Sequence, residues 1–550
     1  MPNPLPLRPR PLLLCLLAVF GLVTLTASTL SPVKDKYFEI MKAIEVYANV
    51  YKEVNTYYVD EIEPNQLMRT GIEAMVGSLE PYTNYISETD VETARLRQSG
   101  KYQGIGADIE YVDGLPTVLT LYKDQPADAA GMKTGDRILE VDGRATAGYN
   151  REQLEEIMRG FPGTTMELTV ERPGQGKKEI EVLRGDVNIP NVPYSGMLER
   201  NVGYVALTTF TQNAAKNVRD AVAKLRADNP NLAGVVLDLR GNGGGLLNEA
   251  VDIVNIFVPK DELIVTTRGK VREWDRSYKT KNNPLDLELP VAVLINGRSA
   301  SASEIVSGAL QDMDRGVLIG QRSYGKGLVQ NIMETGYGSR VKITTAKYYI
   351  PSGRCIQALE YRDGKPYDIP DDRRATFTTE AGREVLDGGG VAPDVEIEVL
   401  GGKSVTQALL EEYIIFDFVN EWTNDHPTID SVADFRFQDW DRFTAYLNRA
   451  DFSFTSKAET LLEKAAERAA EEGYDITAEL AAIAEKVDAE QAAAIAAHKE
   501  EIIDIIEKEI AGRYYYQRGQ VQMGLRNDVE VQEAIRVLND AQRYGAILKP

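Results

Sequence analysis

The stretch 296–330, NGRSASASEIVSGALQDMDRGVLIGQRSYGKGLVQ, places three serines (Ser299, Ser301 and Ser303) on a loop of small residues and a lysine, Lys326, between two glycines. A serine hydroxyl attacks a carbonyl only when a neighbouring base takes its proton. The chain has two histidines, His426 and His498, both far downstream, so a neutral lysine is the available base. Its amine titrates near about 10.4 in water and must be desolvated to lose its charge. Ser301 and Glu304 also fit the S-x-x-E capping box of a helix start. The two roles are compatible, because the N–H groups at a helix start stabilise negative charge. Read alone, Lys326 fits a surface lysine in a glycine turn as well as it fits a base.

Two glycine-rich segments resist simpler assignments. Gly241–Gly245, GNGGG, follows an apolar run and precedes a helical pattern. A dinucleotide fingerprint would need glycine where Leu246 stands. The loop still offers unhindered backbone N–H groups suited to a developing oxyanion. GQRSYGKG, Gly320–Gly327, is close to a phosphate loop, but Gly327 stands where Ser or Thr would hold magnesium, and the next residues alternate like a strand.

These groups need a scaffold. From 201 to 320 strand-like apolar runs alternate with helical patterns, which predicts βαβ units and a mainly parallel sheet. The strand SRVKITTAKYYI and the closing segment GGGVAPDVEIEV complete that region. Upstream, IGADIEYVDGLPTVLTLY alternates around Asp113-Gly114 as a hairpin, and GYNREQLEEIMRG carries Leu154, Ile157 and Met158 at helical spacing. Residues 29–98 read as a helical lead-in module, and 401–550 as charged, Ala- and Glu-rich helices.

Composition narrows the class. With 62 Lys+Arg against 84 Asp+Glu the net charge is −22, the wrong sign for a nucleic-acid binder. Two cysteines give no disulfide framework, and there is neither an HExxH pair nor a zinc-type cysteine cluster, so no metal or cofactor is expected. Arg8 and Arg10 precede the apolar run Leu12–Leu25, followed by Thr26, Ala27 and Ser28. Residues 1–28 are thus expected to be an export signal, with a membrane anchor as the alternative. The run is short against the roughly 20 residues of a span. The body is expected in the periplasm or cell envelope.

SASASEIVSGALQD followed by GQRSYGKGLVQ, together with DLRGNGGGLL, TTAKYYIPSGRCIQ and GVAPDVEI, resembles the carboxy-terminal processing peptidases, or tail-specific proteases, over about 47–399. QGIGA and AAGMKTGDRILEVDG resemble a PDZ domain over about ninety residues. The resemblance implies a multidomain α/β chain: a PDZ domain at 99–186, a ClpP/crotonase-like protease core at 187–400, and the helical region beyond. It also implies a serine endopeptidase that cuts proteins near their C-termini. Ser301 would be nucleophile, Lys326 base, and Gln330 the residue orienting the lysine. The oxyanion donors would be the amides of Ala302 and of Gly244 or Gly245. The loop Gly104, Ile105, Gly106 and Ala107 would hold the substrate carboxylate, and Arg159 would couple the PDZ module to the site. The family often has Asn-Pro in its glycine loop, where this chain has Asn242-Gly243, which leaves the donor glycine open. Protein substrates with free C-termini are the expected partners, and self-association is left open. The competing reading is an inactive PDZ scaffold, against which the intact Ser301, Lys326 and Gln330 argue.

Overall fold

The computed structural model describes residues 31–87, 101–158, 160–362, 365–398, 404–450, 452 and 457–549. The expected N-terminal signal (1–28) and Arg159 lie outside the described residues. The chain divides into two compact units, 1–85 and 86–550. The first holds helices Ser31–Tyr57 and Pro64–Gly77, joined where the Tyr51 hydroxyl donates to the Pro64 carbonyl at 2.8 Å. Among the described residues no helix is long and apolar enough to cross a membrane.

The second unit is built around one six-stranded sheet, in the order Tyr194–Met197, Val202–Ala206, Gly234–Asp238, Val291–Ile295, Val317–Gly320, Val395–Glu396. The first pairing is antiparallel and the next four are parallel. Its four central strands are buried at almost every position, as expected of strands covered on both faces. One face packs against helices Ala214–Asp228, Leu247–Val254 and Ala302–Asp312. The other is covered by the helices Val529–Leu538 and Ala541–Leu548 near the C-terminal end, through Val531, Ala534, Ile535 and Leu538 against Val236, Leu294 and Ile319. The charged C-terminal stretch thus contributes half of the sheet's cover. Its earlier helices form a separate aromatic core around Phe418, Trp422, Phe443 and Ile506.

The long hairpin, the PDZ-like strands and the two-stranded sheets pair antiparallel, so the chain as a whole is mixed rather than mainly parallel. Strands Leu328–Gly336 and Ser339–Tyr349 form a long hairpin that also pairs with Leu263–Gly269. The PDZ-like sheet runs Ala107–Val112, Leu115–Leu121, Arg137–Val141, Thr165–Arg172, Gly176–Leu183, with helix Arg151–Met158 packing Ile157 and Met158 against its core and burying Leu154. Among the described residues Ala107–Val112 is an edge strand that pairs only with Leu115–Leu121.

Candidate active site

Ligand sites in parallel α/β sheets collect beyond the carboxyl ends of the strands. Three neighbouring parallel strands here each end in a chemically notable loop. Gly234–Asp238 leads into the glycine loop, Val291–Ile295 into the serine loop, and Val317–Gly320 into the lysine loop. Asp238 pairs with Leu294, and Ile295 with Gly320, so the three loops leave the sheet at one level.

Within the serine loop the three hydroxyls are sorted by burial. Ser299 Oγ donates to the Leu239 carbonyl and Ser303 Oγ to the Asn242 carbonyl, each at 2.8 Å, and both residues are fully buried. Ser303 braces the glycine loop and Ser299 the segment leading into it. Ser301 is only partly buried and begins helix Ala302–Asp312 in the capping box its sequence suggests. Its backbone lies at φ 57°, ψ −111°, a conformation that costs a non-glycine residue of order 1–3 kcal/mol and recurs at active sites.

Glu304 is the residue the sequence reading underrated. Its side chain is fully buried and accepts four hydrogen bonds: from the Ser301 N–H (2.7 Å), Ser323 Oγ (2.5 Å), the Gly325 N–H (2.6 Å) and the Lys326 N–H (2.9 Å). One oxygen, Oε2, joins the backbones of Ser301 and Lys326. Burial pushes its carboxyl above the usual range, while those four donors pull the other way. Tyr348, from the long hairpin, places its hydroxyl between the carbonyls of Ser301 (3.1 Å) and Lys326. The two segments are thereby clamped at N–H and C=O alike. Only the S-x-x-E spacing hinted at this, and nothing in sequence pointed to Tyr348.

Lys326 is partly buried. The flanking glycines permit a close backbone approach. A β-carbon on Gly325 would lie 2.2 Å from Ala358 Cβ, and one on Gly327 would lie 2.5 Å from the Gln357 N. Gln330 stands two pairs along the hairpin at a bulge, with Nε2 donating to Thr344 Oγ1 at 3.2 Å. Both histidines belong to the C-terminal helices. The His426 ring stacks on Trp422 at 3.7 Å, and His498 joins two helices.

The glycine loop is organised by Asn242. This fully buried side chain donates to the Leu207 carbonyl (2.8 Å) and accepts from the Gly244 N–H (2.9 Å). Its own carbonyl accepts from the Ala300 N–H (3.0 Å). Gly244, at φ 100°, faces the serine loop. A β-carbon there would lie 2.7 Å from the Ala300 carbonyl oxygen and 2.8 Å from Ser301 Cβ. Gly244→Ala is therefore expected to cost about 1–3 kcal/mol in backbone strain alone. By pressing on Ser301 Cβ and the Ala302 N it should also displace the serine loop and lower any turnover by about 10²-fold or more, the scale on which misplaced reacting groups lose rate. Thermal unfolding and steady-state kinetics on the same preparation check both.

The loop Gly104–Ala107 sits at the start of the PDZ edge strand. Gly106, at φ 76°, is packed against Gln125, and the Ile105 carbonyl accepts from the Ala127 N–H at 2.7 Å.

Comparison with known proteins agrees with this architecture. Residues 201–369 match peptidase family S41, residues 117–172 a PDZ domain, and residues 405–538 the family described as "Probable PDZ-protease, C-terminal helical domain". A carboxy-terminal-processing protease of Bartonella bacilliformis is 36% identical over 321 residues, spanning 58% of this chain and 73% of that protein. The carboxy-terminal processing protease CtpA of Bacillus subtilis is 31% identical over 322 residues, spanning 58% and 68%. The solved photosystem II D1 C-terminal processing protease is 26% identical, covering 65% of this chain and 94% of that one, at a TM-score of 0.36. Fold and matches together define a serine-type peptidase carrying a PDZ module. The chain belongs to peptidase family S41, among the carboxy-terminal processing proteases.

Proposed function

We propose that the chain cleaves protein substrates near their C-termini by a Ser301–Lys326 dyad. Ser301 Oγ attacks the peptide carbonyl while the neutral Lys326 amine takes its proton. The protonated lysine then returns it to the leaving amine, and water releases the acyl-enzyme. The reading rests above all on one carboxylate oxygen, Glu304 Oε2, hydrogen-bonded to the N–H groups of both Ser301 and Lys326. The Gly244 amide already donates to Asn242, so the reading gives the oxyanion to the amides of Gly245 and Ala302. Gln330 orients the lysine. The four parallel pairings of the core sheet favour the ClpP/crotonase-like arrangement as its setting.

The PDZ module is assigned the capture of substrate tails. A peptide would add as a strand beside Ala107–Val112, its carboxylate on the amides of Gly104–Ala107, and occupancy would open the path to Ser301. Export to the cell envelope completes the reading, supported by the basic, apolar and small residues of 1–28.

The experiment compares an unfolded substrate ending in a free carboxylate with the same chain amidated, the products being mapped by mass spectrometry. Loss of charge-assisted hydrogen bonds, each about 1.5–3 kcal/mol, should raise KM about tenfold or more for the amide, with cuts near the free terminus. Equal KM values for the two substrates would remove the tail-capture assignment.

A further inference from the structure

The loop that would hold the oxyanion has a second anchor, and it comes from the far end of the chain. Arg240 immediately precedes Gly241. Its guanidinium meets Asp238 Oδ2 at 2.5 Å, Glu530 Oε2 at 2.5 Å and Asp528 Oδ2 at 2.7 Å. Asp238 ends the central strand and is held in turn by the Tyr204 hydroxyl at 2.7 Å. Asp528 caps helix Val529–Leu538, its other oxygen accepting from the Glu530 and Val531 N–H groups at 3.0 and 3.1 Å. All four charged groups are largely withdrawn from solvent, with side-chain exposures of 19% for Arg240, 9% for Asp238, 14% for Asp528 and 6% for Glu530. Burial works against the Arg240 charge, and the surrounding carboxylates outweigh it.

We propose that Arg240 is a positioning residue for the glycine loop, clamped by Asp528 and Glu530, so that docking of the C-terminal helix is part of assembling the catalytic site. The geometry gives the clamp a short lever. Arg240 is one residue from Gly241, whose N–H donates to Asn296 Oδ1 at 3.0 Å, and two from Asn242, which holds Gly244 against Ser301. The loop is thus pinned on the serine side by Asn296 and on the opposite face of the sheet by residues 528 and 530. A charged fork held by three carboxylates resists rotation better than one held by a single partner. The arrangement also makes the clamp separable from folding. Neutralising Asp528 or Glu530 leaves Arg240 its bond to Asp238, so no buried charge is abandoned, and asparagine caps a helix about as well as aspartate. The apolar contact of Val531, Ala534 and Ile535 with the sheet is untouched.

This inference rests on the Ser301–Lys326 reading. Its test uses the full-length chain with Asp528→Asn, Glu530→Gln and the double substitution. Three quantities are measured: turnover of an unfolded protein substrate, affinity for a peptide aldehyde that forms a tetrahedral adduct with Ser301, and affinity of the PDZ module for a free-tailed peptide. The double variant is expected to lose about 30-fold in kcat and about as much in aldehyde affinity, with KM and tail-peptide affinity within about twofold, since only interactions made in the tetrahedral state are weakened. Restoring the charge with Glu530→Asp should recover part of that loss. Unchanged kcat and aldehyde affinity in the double variant overturn the proposal. So does a loss that falls equally on aldehyde and tail peptide, which marks a general loosening of the fold. The unchanged chain is the internal control: if it neither turns over substrate nor binds the aldehyde, the Ser301–Lys326 reading fails and takes this one with it.

Discussion

Ser301→Ala is expected to reduce cleavage of an unfolded protein substrate by about 10⁴-fold or more, in line with removal of a nucleophile from a working catalytic unit. The folded state should survive the change. Glu304 bonds the backbone N–H of residue 301, not its hydroxyl, so the clamp onto the lysine loop persists, and losing a capping hydroxyl costs about 1 kcal/mol. The discriminating comparison is with the two neighbours. Ser299→Ala removes a buried hydrogen bond to Leu239, just before the glycine loop, and Ser303→Ala one to Asn242 within it, each worth about 1 kcal/mol in stability, and both variants should retain measurable turnover. Equal loss at all three serines would mean that the loop's integrity, not one hydroxyl, is what the assay reads. Cleavage kinetics beside thermal denaturation of all three variants settles the point.

The second large effect is expected at Lys326. Lys326→Ala removes the amine, and Lys326→Arg supplies a group that stays protonated at any workable pH. Both should lower turnover by about 10³-fold or more. Tail-peptide affinity should remain within about twofold in each, because the loop proposed to take the tail, Gly104–Ala107, leads into a different sheet from the hairpin that follows Lys326. The main-chain bonds at 326 to Glu304 and Tyr348 use N–H and C=O only, so either side chain is compatible with the loop. Near-normal turnover in the arginine variant would show that the base is another residue.

Much of this chain was legible before any fold was known. Alternation and helical spacing gave the order of modules. Ile157 and Met158 do pack against the PDZ-like core and Leu154 is buried, and the apolar runs 202–206, 234–238, 291–295 and 317–320 are buried strands. Local pattern reaches that far because it reports which face of an element meets the core. It reached less far where burial is decided by distant chain. The stretch beyond 401 read as solvated helices without chemistry, yet Val531, Ala534 and Ile535 seal the second face of the protease sheet. Its charges Asp528 and Glu530 meet Arg240, some 290 positions earlier. The expected mainly parallel sheet is one part of a mixed whole, since the hairpin 328–349 and the PDZ strands pair antiparallel.

By itself the sequence determined the identities that chemistry requires: a serine on small residues, a lysine between glycines, a glycine loop after an apolar strand, and no histidine within reach in the chain. Those follow from residue type and spacing, which short-range sterics and side-chain chemistry make readable. Only the tertiary structure decided how the pieces meet. Three strand ends brought level, Glu304 and Tyr348 bridging Ser301 to Lys326, and Asn242 holding Gly244 against the serine are contacts between segments remote in sequence. No local propensity encodes such contacts. They come from register in the sheet and from the need of each buried polar group for a partner.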